Sequence, residues 1–222
     1  RVQPTKPFYS SGLDFAGPIK MMQNEGPRCR TTKDCWICLF VCCATKAVHL
    51  DVVTSYSADA FISCLRRFVS RRGKVSNIYC DNGTNFVGAN NILRKMLADE
   101  KSNDQLHHEF DYINFHFSPA RSPHTGGLYE ANIRSMKKHL NRTMGTGVLN
   151  YEQLQTLLCQ IEACLNSRPL CVLPNDNEEI AVLTPGHFLT GSTLTSVPDI
   201  DYKDVNPNRC LLYTSPSPRD RG

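Results

Sequence analysis

The 222-residue sequence lacks a hydrophobic run long enough to cross a membrane. Its longest strongly apolar stretch, Trp36 to Ala44, is far shorter than the roughly 20 residues that a membrane-spanning helix needs. No secretory segment and no internal repeat is visible. These absences favour a single globular unit in an intracellular, reducing compartment, with no membrane partner.

A zinc-binding pattern is also missing, although the chain has 11 cysteines. Cys35 and Cys38 have the C-x-x-C spacing of a zinc knuckle, but no second Cys/His pair with ligand spacing follows them. His107 and His108 are adjacent and lack such partners. The cysteine number is odd, and several cysteines lie within apolar sequence, so we expect structural thiols.

Strong charge is absent as well. The net charge is +4, the pI is about 8.5, and 41% of residues are hydrophobic. This composition suits one domain with a sizeable core, or one domain with a tail. A mildly basic chain is compatible with a nucleic-acid partner but does not identify one.

The hydrophobic pattern predicts three strands, a helix, a strand, a helix, a strand and then further helices. The third strand alternates, which predicts a buried face with Val48, Leu50 and Val52 and a polar face with His49 and Asp51. The other predicted elements are a first strand interrupted at Gly17-Pro18, a helix from the N-cap Ser57 to Gly73, a strand ending at Asp81, a helix at about 89–112, a strand at 113–119, and helices at 128–144 and 151–166. This order predicts an α/β fold with a mixed sheet and helices packed against it.

Three carboxylates stand out by their positions. Asp14 lies within the first predicted strand, Asp81 ends the fourth in "YCDNGTNF", and Glu130 opens a helix after a glycine-rich loop. Each alone has an ordinary interpretation: a solvated strand residue, a turn residue, or a first-turn partner of the helix dipole. Comparable acidic residues are assigned surface, capping or ion-pair roles, namely Asp34, Asp51, Asp59, Glu152 and Glu162.

Phosphodiester chemistry gives a reason to group the three carboxylates. Transfer at a phosphodiester requires charge to be neutralised on the attacking and leaving oxygens, which two metal ions about 3.5–4 Å apart achieve. Mg²⁺ prefers carboxylate and water oxygens, so few protein ligands suffice. Carboxylates from a strand, a strand end and a helix start could converge on such a pair.

The helix that begins near Glu130 carries a polar face. Glu130, Arg134, Lys137 and Asn141 share this face by their i, i+4, i+7 and i+11 spacing. Cations beyond a metal-binding glutamate could bind a phosphate backbone. The alternative is a solvated face with a Glu-to-Arg pair, which is common on helix surfaces.

Five motifs occur in order and carry a family resemblance: "GLDFAGP", "CDNGTNFVGA", "SPHTGGLYEANIRSMKKHL", "LNSRPL" and "LTPGHFLTG". Together they closely resemble the integrase catalytic core of BEL/Pao-type LTR retrotransposons, from about Pro7 to Pro198. The loop "DNGTNF" also resembles that of retroviral integrases. The resemblance implies an RNase H-like fold with a mixed five-stranded sheet flanked by helices.

The resemblance also implies an activity. Asp14, Asp81 and Glu130 would be the catalytic and metal-binding triad for two Mg²⁺ or Mn²⁺ ions. The activity would be 3′-end processing of element DNA, followed by strand transfer into target DNA. Thr84 and Asn85 would lie near target DNA, and Lys137 and Arg134 near the retrotransposon terminal DNA.

Further expectations follow from the same resemblance. Gly126 and Gly127 would belong to a mobile loop before the catalytic helix. The full-length protein would be a homo-oligomer, a dimer or tetramer. It would act in the nucleus and the cytoplasm, in a virus-like particle or pre-integration complex.

The sequence departs from the family pattern in three places. Glu130 lies 49 positions after Asp81, which is longer than usual in retroviral integrases, and Tyr129 stands where members often carry Trp. Thr125 is a similar minor variation, and none of these changes touches the carboxylates.

The predicted domain division is a core at 1–200, a linker at 201–209 and a tail at 210–222. The chain starts just before the core and lacks the zinc-binding HHCC module usual in integrases, so we expect a fragment of a polyprotein. The tail "CLLYTSPSPRD" reads as a translated sequencing adapter, and we expect it to be disordered and to pack against nothing. The alternative is an ordinary Pro/Ser-rich tail.

Three functions remain open from the sequence. The first is a metal-dependent polynucleotidyl transferase. The second is a catalytically silent, domesticated relic that keeps the fold and DNA binding. The third is an RNase H-like nuclease that cuts but does not join. Whether a core without flanking domains is active is a separate question.

Overall fold

The computed structural model describes residues 6–23, 31–98, 113–117, 127–145, 147–173, 181–192 and 194, with all side chains in these ranges except those at 93–98, 128, 173 and 181. Seven strands and five helices lie in the described ranges. In chain order they are β1 (Ser10–Met22), β2 (Thr32–Cys42), β3 (Val48–Val53), α1 (Ala58–Arg72), β4 (Asn77–Cys80), α2 (Thr84–Ala98), β5 (Asn114–Phe117), α3 (Gly127–Met144), α4 (Tyr151–Asn166), β6 (Cys171–Leu173), β7 (Ala181–Leu183) and α5 (His187–Thr190).

Five strands form one mixed sheet in the order β3-β2-β1-β4-β5. The pairs β1–β2 and β2–β3 are antiparallel, whereas β1–β4 and β4–β5 are parallel. The parallel pairing of β1 with β4 requires a crossover, which α1 supplies. The predicted fold class is therefore confirmed: an α/β fold with a mixed five-stranded sheet and flanking helices.

Hydrophobic clusters cover both faces of the sheet. On one face, residues of α1 and α2 such as Phe61, Phe68 and Phe86 pack against the strands. On the other face, α3 and α4 contribute residues such as Met136 and Leu158. Because β2 is covered on both sides, its apolar run is continuous rather than alternating, as the sequence predicted.

Helix α1 follows the predicted capping pattern. The Ser57 side chain accepts a hydrogen bond from the Ala60 N–H at the N-terminus, and Gly73 ends the helix at φ +87°. Helix α4 also has its predicted bounds. Asn150 and Gln153 form a capping box at its start, which satisfies backbone N–H groups that would otherwise lack partners.

The prediction of a polar outer face on β3 is wrong. All six residues of β3 are buried, including His49 and Asp51. Arg67 of α1 donates to the Asp51 carboxylate at 2.6 Å, and Arg72 donates to His49 Nδ1 at 3.3 Å. A buried carboxylate needs a charged or hydrogen-bonded partner, and Arg67 provides it for Asp51.

The open edge of β3 is covered by polar side chains of α4. The Leu50 N–H donates to Glu162 and the Val48 N–H donates to Asn166, both at 2.8 Å. The Asn166 amide also donates back to the Val48 carbonyl at 2.8 Å. These bonds give the edge strand partners that another chain would otherwise supply.

Several elements differ from the sequence prediction. Helix α2 begins at Thr84 rather than about residue 89, and β1 continues through Gly17-Pro18 with a register irregularity between Ala16 and Ile19. The hairpin β6–β7 and the short helix α5 lie within the Pro-, Thr-, Asp- and Asn-rich sequence after Pro169, where no element was predicted.

The described cysteines are free thiols, and five of them are buried. Cys35 belongs to the hydrophobic cluster on one face of the sheet and Cys38 to the cluster on the other. Two thiols on opposite faces cannot bind one ion, which agrees with the structural role expected for them. Among the described helices, none is both long and apolar enough to cross a membrane.

Candidate active site

The parallel pairing of β1 with β4 brings two aspartates to the same place. Gly12 pairs with Tyr79, so Asp14 and Asp81 each lie two residues beyond this matched pair. Neighbouring strands lie about 4.8 Å apart, and residues with this register point to the same face. Asp14 and Asp81 are therefore neighbours at the carboxyl end of β4, where α/β folds place their sites.

Asp14 is partly buried and has an unusual affinity for protons. Its pKa is raised to about 6, first by burial and then by the negative charges of Asp81 and Glu130. The Phe15 N–H donates to its carboxylate at 2.7 Å and acts in the opposite direction, as does the nearby Lys137. Asp81 and Glu130 thus both lie close enough to Asp14 to influence it electrostatically.

Asp81 lies at a tight turn between β4 and α2. Its carboxylate is exposed and accepts a hydrogen bond from the Gly83 N–H at 3.1 Å. A Cβ atom at position 83 would lie 2.8 Å from Asn85 Oδ1 and 3.1 Å from Asp81 Oδ1. Glycine at this position therefore lets the turn close over the carboxylate.

Helix α3 packs tightly on β1 beside these aspartates. The ring of Tyr129 lies over Gly12, and a Cβ at position 12 would lie 2.9 Å from it. Met136 and Leu140 are buried, whereas Glu130 and Lys137 are exposed on the flank that influences Asp14. The predicted polar and apolar faces of this helix are both present.

The remaining predicted site residues divide into exposed and buried positions. Thr84, Arg134 and Lys137 are exposed, and Asn141 is exposed on the same helix. Asn85, in contrast, is only 3% exposed, so the expectation that it offers a polar surface is wrong. Residue 85 is buried because α2 starts early and turns this side chain inward, where its amide has no hydrogen-bond partner among the described residues.

The predicted mobile loop is only partly visible. Gly126 lies outside the described residues. Gly127 is the first residue of α3, one position earlier than predicted, and a Cβ there would have no atom of the described residues within 4 Å.

The three carboxylates suit a hard divalent cation by their chemistry. Burial of Asp14 beside two further carboxylates raises its pKa, and a bound cation would relieve this unfavourable charge. Within the described part of the chain, however, no group of three or more His, Cys, Asp or Glu side chains is arranged to hold a metal ion. The carboxylate donors and their charge are suited to Mg²⁺, but the described side chains do not converge to form a metal site.

Sequence reasoning missed one residue at this site, Tyr56. It lies between β3 and α1, and its pKa is raised by burial and then by the charges of Asp81 and Asp14. Its ring centroid lies 5.5 Å from that of Phe15. The available signal was an aromatic residue in a short polar turn at the same end of the sheet as Asp81.

Comparisons with known proteins bear on this fold. The sequence matches no protein-family profile and no curated protein. A solved structure of the simian T-cell lymphotropic virus intasome in complex with PP2A regulatory subunit B56 gamma is similar, with a TM-score of 0.53 and 15% identity. The match covers 90% of this chain, which spans about 60% of the length of the intasome chain.

A second similar structure is the catalytic core domain of BIV integrase. It has a TM-score of 0.51 and 16% identity, and the match covers 82% of this chain and 93% of that one. At this identity the comparison concerns the fold. The chain has the α/β, RNase H-like fold of a retroviral integrase catalytic core.

Proposed function

We propose that the chain is the catalytic core of a DNA integrase from a BEL/Pao-type LTR retrotransposon. Its activity would be metal-dependent polynucleotidyl transfer: 3′-end processing of retrotransposon DNA and strand transfer into target DNA. One observation carries this proposal. The charges of Asp81 and Glu130 both raise the pKa of Asp14, on a fold like that of integrase catalytic cores, and this supports the proposal.

The metal-binding residues in this proposal are the same three carboxylates. Two Mg²⁺ or Mn²⁺ ions, when bound, would neutralise charge on the attacking and leaving oxygens of the phosphodiester. The backbone N–H groups of Phe15 and Gly83 orient the carboxylates of Asp14 and Asp81. Because Asp14 holds a proton up to about pH 6, it must lose this proton before it can act as a ligand.

The polar flank of α3 would hold the DNA backbone. Lys137 is close enough to Asp14 to lower its pKa, and Arg134 lies one turn after Glu130, which supports a role for both cations in contacting phosphates next to the reacting bond. Thr84 is exposed at the start of α2 and is the proposed contact to target DNA.

The biological setting is proposed with the activity. Retrotransposon terminal DNA and target DNA would be the partners, and the full-length protein would assemble as a dimer or tetramer. Its location would be nuclear and cytoplasmic, within a virus-like particle or pre-integration complex. The domain division proposed is a core at 1–200, a linker at 201–209 and an adapter-derived tail at 210–222.

The test is resolution of a branched DNA that mimics the strand-transfer product. This reverse reaction depends less on flanking domains than integration does. We expect the chain to resolve the branch with Mg²⁺ or Mn²⁺, and we expect Glu130→Gln to be inactive because it loses a ligand charge. Glu152→Gln, an exposed first-turn glutamate of α4, is the matched control and should remain active.

The outcomes separate the three candidate functions. Branch resolution that needs Glu130 supports the transferase. Cleavage of DNA without any joined product supports the nuclease. DNA binding with neither reaction nor metal binding supports the silent relic and contradicts the proposed activity, whereas no reaction with metal still bound at Asp14 and Asp81 indicates a core that needs flanking domains.

A further inference from the structure

Tyr56 is an exposed aromatic residue whose ring is nevertheless held in place. Tyr56 is 45% exposed. Its ring centroid lies 5.5 Å from that of Phe15 and 5.6 Å from that of Trp36. A ring that packs against two other rings has less conformational freedom to lose when a ligand binds.

The support beneath Tyr56 is anchored in the core. Phe15 stacks on Phe86 with centroids 5.1 Å apart and planes only 3° from parallel. Phe61 of α1 packs edge-on against both rings, at 6.1 Å and 5.0 Å. These phenylalanines are in the layer with α1, on the face of the sheet opposite to α3.

This aromatic group joins the two chain segments that carry the aspartates. Phe15 directly follows Asp14, and Phe86 lies in the first turn of α2, shortly after Asp81. The Tyr56 hydroxyl is close enough to both carboxylates for their charge to contribute to its raised pKa, after the larger contribution of burial. Through its contact with Phe15, the Tyr56 ring lies at the end of the sheet that carries the candidate active site, beside the layer on the side away from α3.

We propose that the Tyr56 hydroxyl donates a hydrogen bond to the phosphate that lies between Asp14 and Asp81, and so positions the DNA strand from the side opposite to Lys137. The inference rests on the proposed function, because it takes DNA as the ligand of the carboxylate site. A neutral hydroxyl suits this place because it can bond a phosphate oxygen without adding a charge next to the metal-binding carboxylates. Tyrosine hydroxyls are common donors to DNA phosphates.

The experiment measures binding of the branched DNA by fluorescence anisotropy in Ca²⁺, so that affinity is read without turnover. Tyr56→Phe keeps the ring and removes only the hydroxyl, and we expect binding about five-fold weaker than wild type. Tyr9→Phe is the matched control and should bind as wild type. Tyr9 is 43% exposed at the start of β1, at the opposite end of the sheet.

A modified DNA locates the contact. On a branched DNA with a methylphosphonate at the branch-point phosphate, we expect wild type and Tyr56→Phe to bind equally, because the acceptor is weakened for both. The slope of affinity against salt should be the same for the two proteins, since the hydroxyl releases no counterion.

Two results would overturn the inference. In one, Tyr56→Phe binds unmodified DNA as wild type does, while Tyr56→Leu alone is weakened, which would assign the role to the ring. In the other, Tyr56→Phe is weakened equally on both DNAs. Either result leaves the proposed function standing if the wild-type chain still resolves the branch, whereas failure of branch resolution contradicts the proposed function alone.

Discussion

Asp14 is the residue whose environment makes the most direct prediction. Its folded pKa of about 6 lies above its ordinary value of 3.8. Its contribution to stability is therefore complete below about pH 4 and is lost as the pH rises through 6. Asp14→Asn removes this loss and keeps an oxygen acceptor for the Phe15 N–H.

At pH 7 we expect the free energy of unfolding of Asp14→Asn to exceed that of wild type by about 1 kcal/mol after allowance for solvent screening. The variant should therefore unfold at a higher denaturant concentration. The two proteins should have equal stability at pH 3.5. Urea unfolding at the two pH values measures this. A variant that is less stable than wild type at pH 7 would contradict the charge crowding at the site.

Lysine residues on α3 provide a matched control for the same interaction. Lys137 lowers the pKa of Asp14, so Lys137→Gln should raise that pKa further, as an NMR titration would show. Lys138 is also exposed but points about a quarter turn away, and Lys138→Gln should leave the titration unchanged.

The sequence allowed the three carboxylates to be grouped, but it did not reveal the environment of their neighbours. Asn85 looks like a loop residue in "DNGTNF", and only the early start of α2 buries it. Tyr56 lies far from Asp14 in the chain, and three-dimensional packing on Phe15 brings it to the site. Such proximity between distant residues has no local sequence pattern.

The contact between β3 and α4 predicts a strong effect at a residue with no catalytic role. Asn166 accepts from the Val48 N–H and donates to the Val48 carbonyl. Asn166→Ala would leave both buried backbone groups without partners and should cost about 2–4 kcal/mol of unfolding free energy. Gln160→Ala, exposed on the same helix, should change stability little.

Thermal and urea unfolding of both variants tests this role for α4. Equal stability of the two variants would show that the hydrogen bonds of Asn166 to the backbone of Val48 do not stabilise the edge of β3. Loss of solubility in Asn166→Ala at high concentration would agree with an uncovered strand edge.

Whole elements were predicted well where their pattern was strong. Helices α1 and α4 have their caps in the sequence, and strand β2 has an apolar run that only a doubly covered strand shows. The polar alternation in β3 was misleading, because Arg67 and Arg72 of α1 pair with its polar side chains in the interior. A pairing between elements cannot be read from the alternation of one of them.

For the whole molecule, the modest net charge limits the DNA affinity that the proposed function implies. With a net charge of +4, the chain should bind non-specific DNA weakly, and the affinity should fall steeply as salt rises. Deleting 210–222 removes Arg219, Arg221 and Asp220 and lowers the net charge from +4 to +3, so affinity should fall only slightly. The melting temperature should not change, because we expect this tail to pack against nothing.

Filter binding across a salt series measures the first expectation, and calorimetry of the shortened chain measures the second. Binding that does not depend on salt would show that contacts other than phosphates dominate. A lower melting temperature after the deletion would show that the tail contributes to the folded structure.

The central position of β1 in the sheet has a consequence for the order of folding. Strands β1, β2 and β3 are joined by short antiparallel connections and can pair from local sequence, whereas Gly12 meets Tyr79 only after a loop of 67 residues closes. Asp14 therefore gains its partner Asp81 late, when β4 joins the sheet through the α1 crossover. A nascent or partly unfolded chain would carry the first aspartate without the second, so the proposed metal site would be complete only when β4 has joined the sheet.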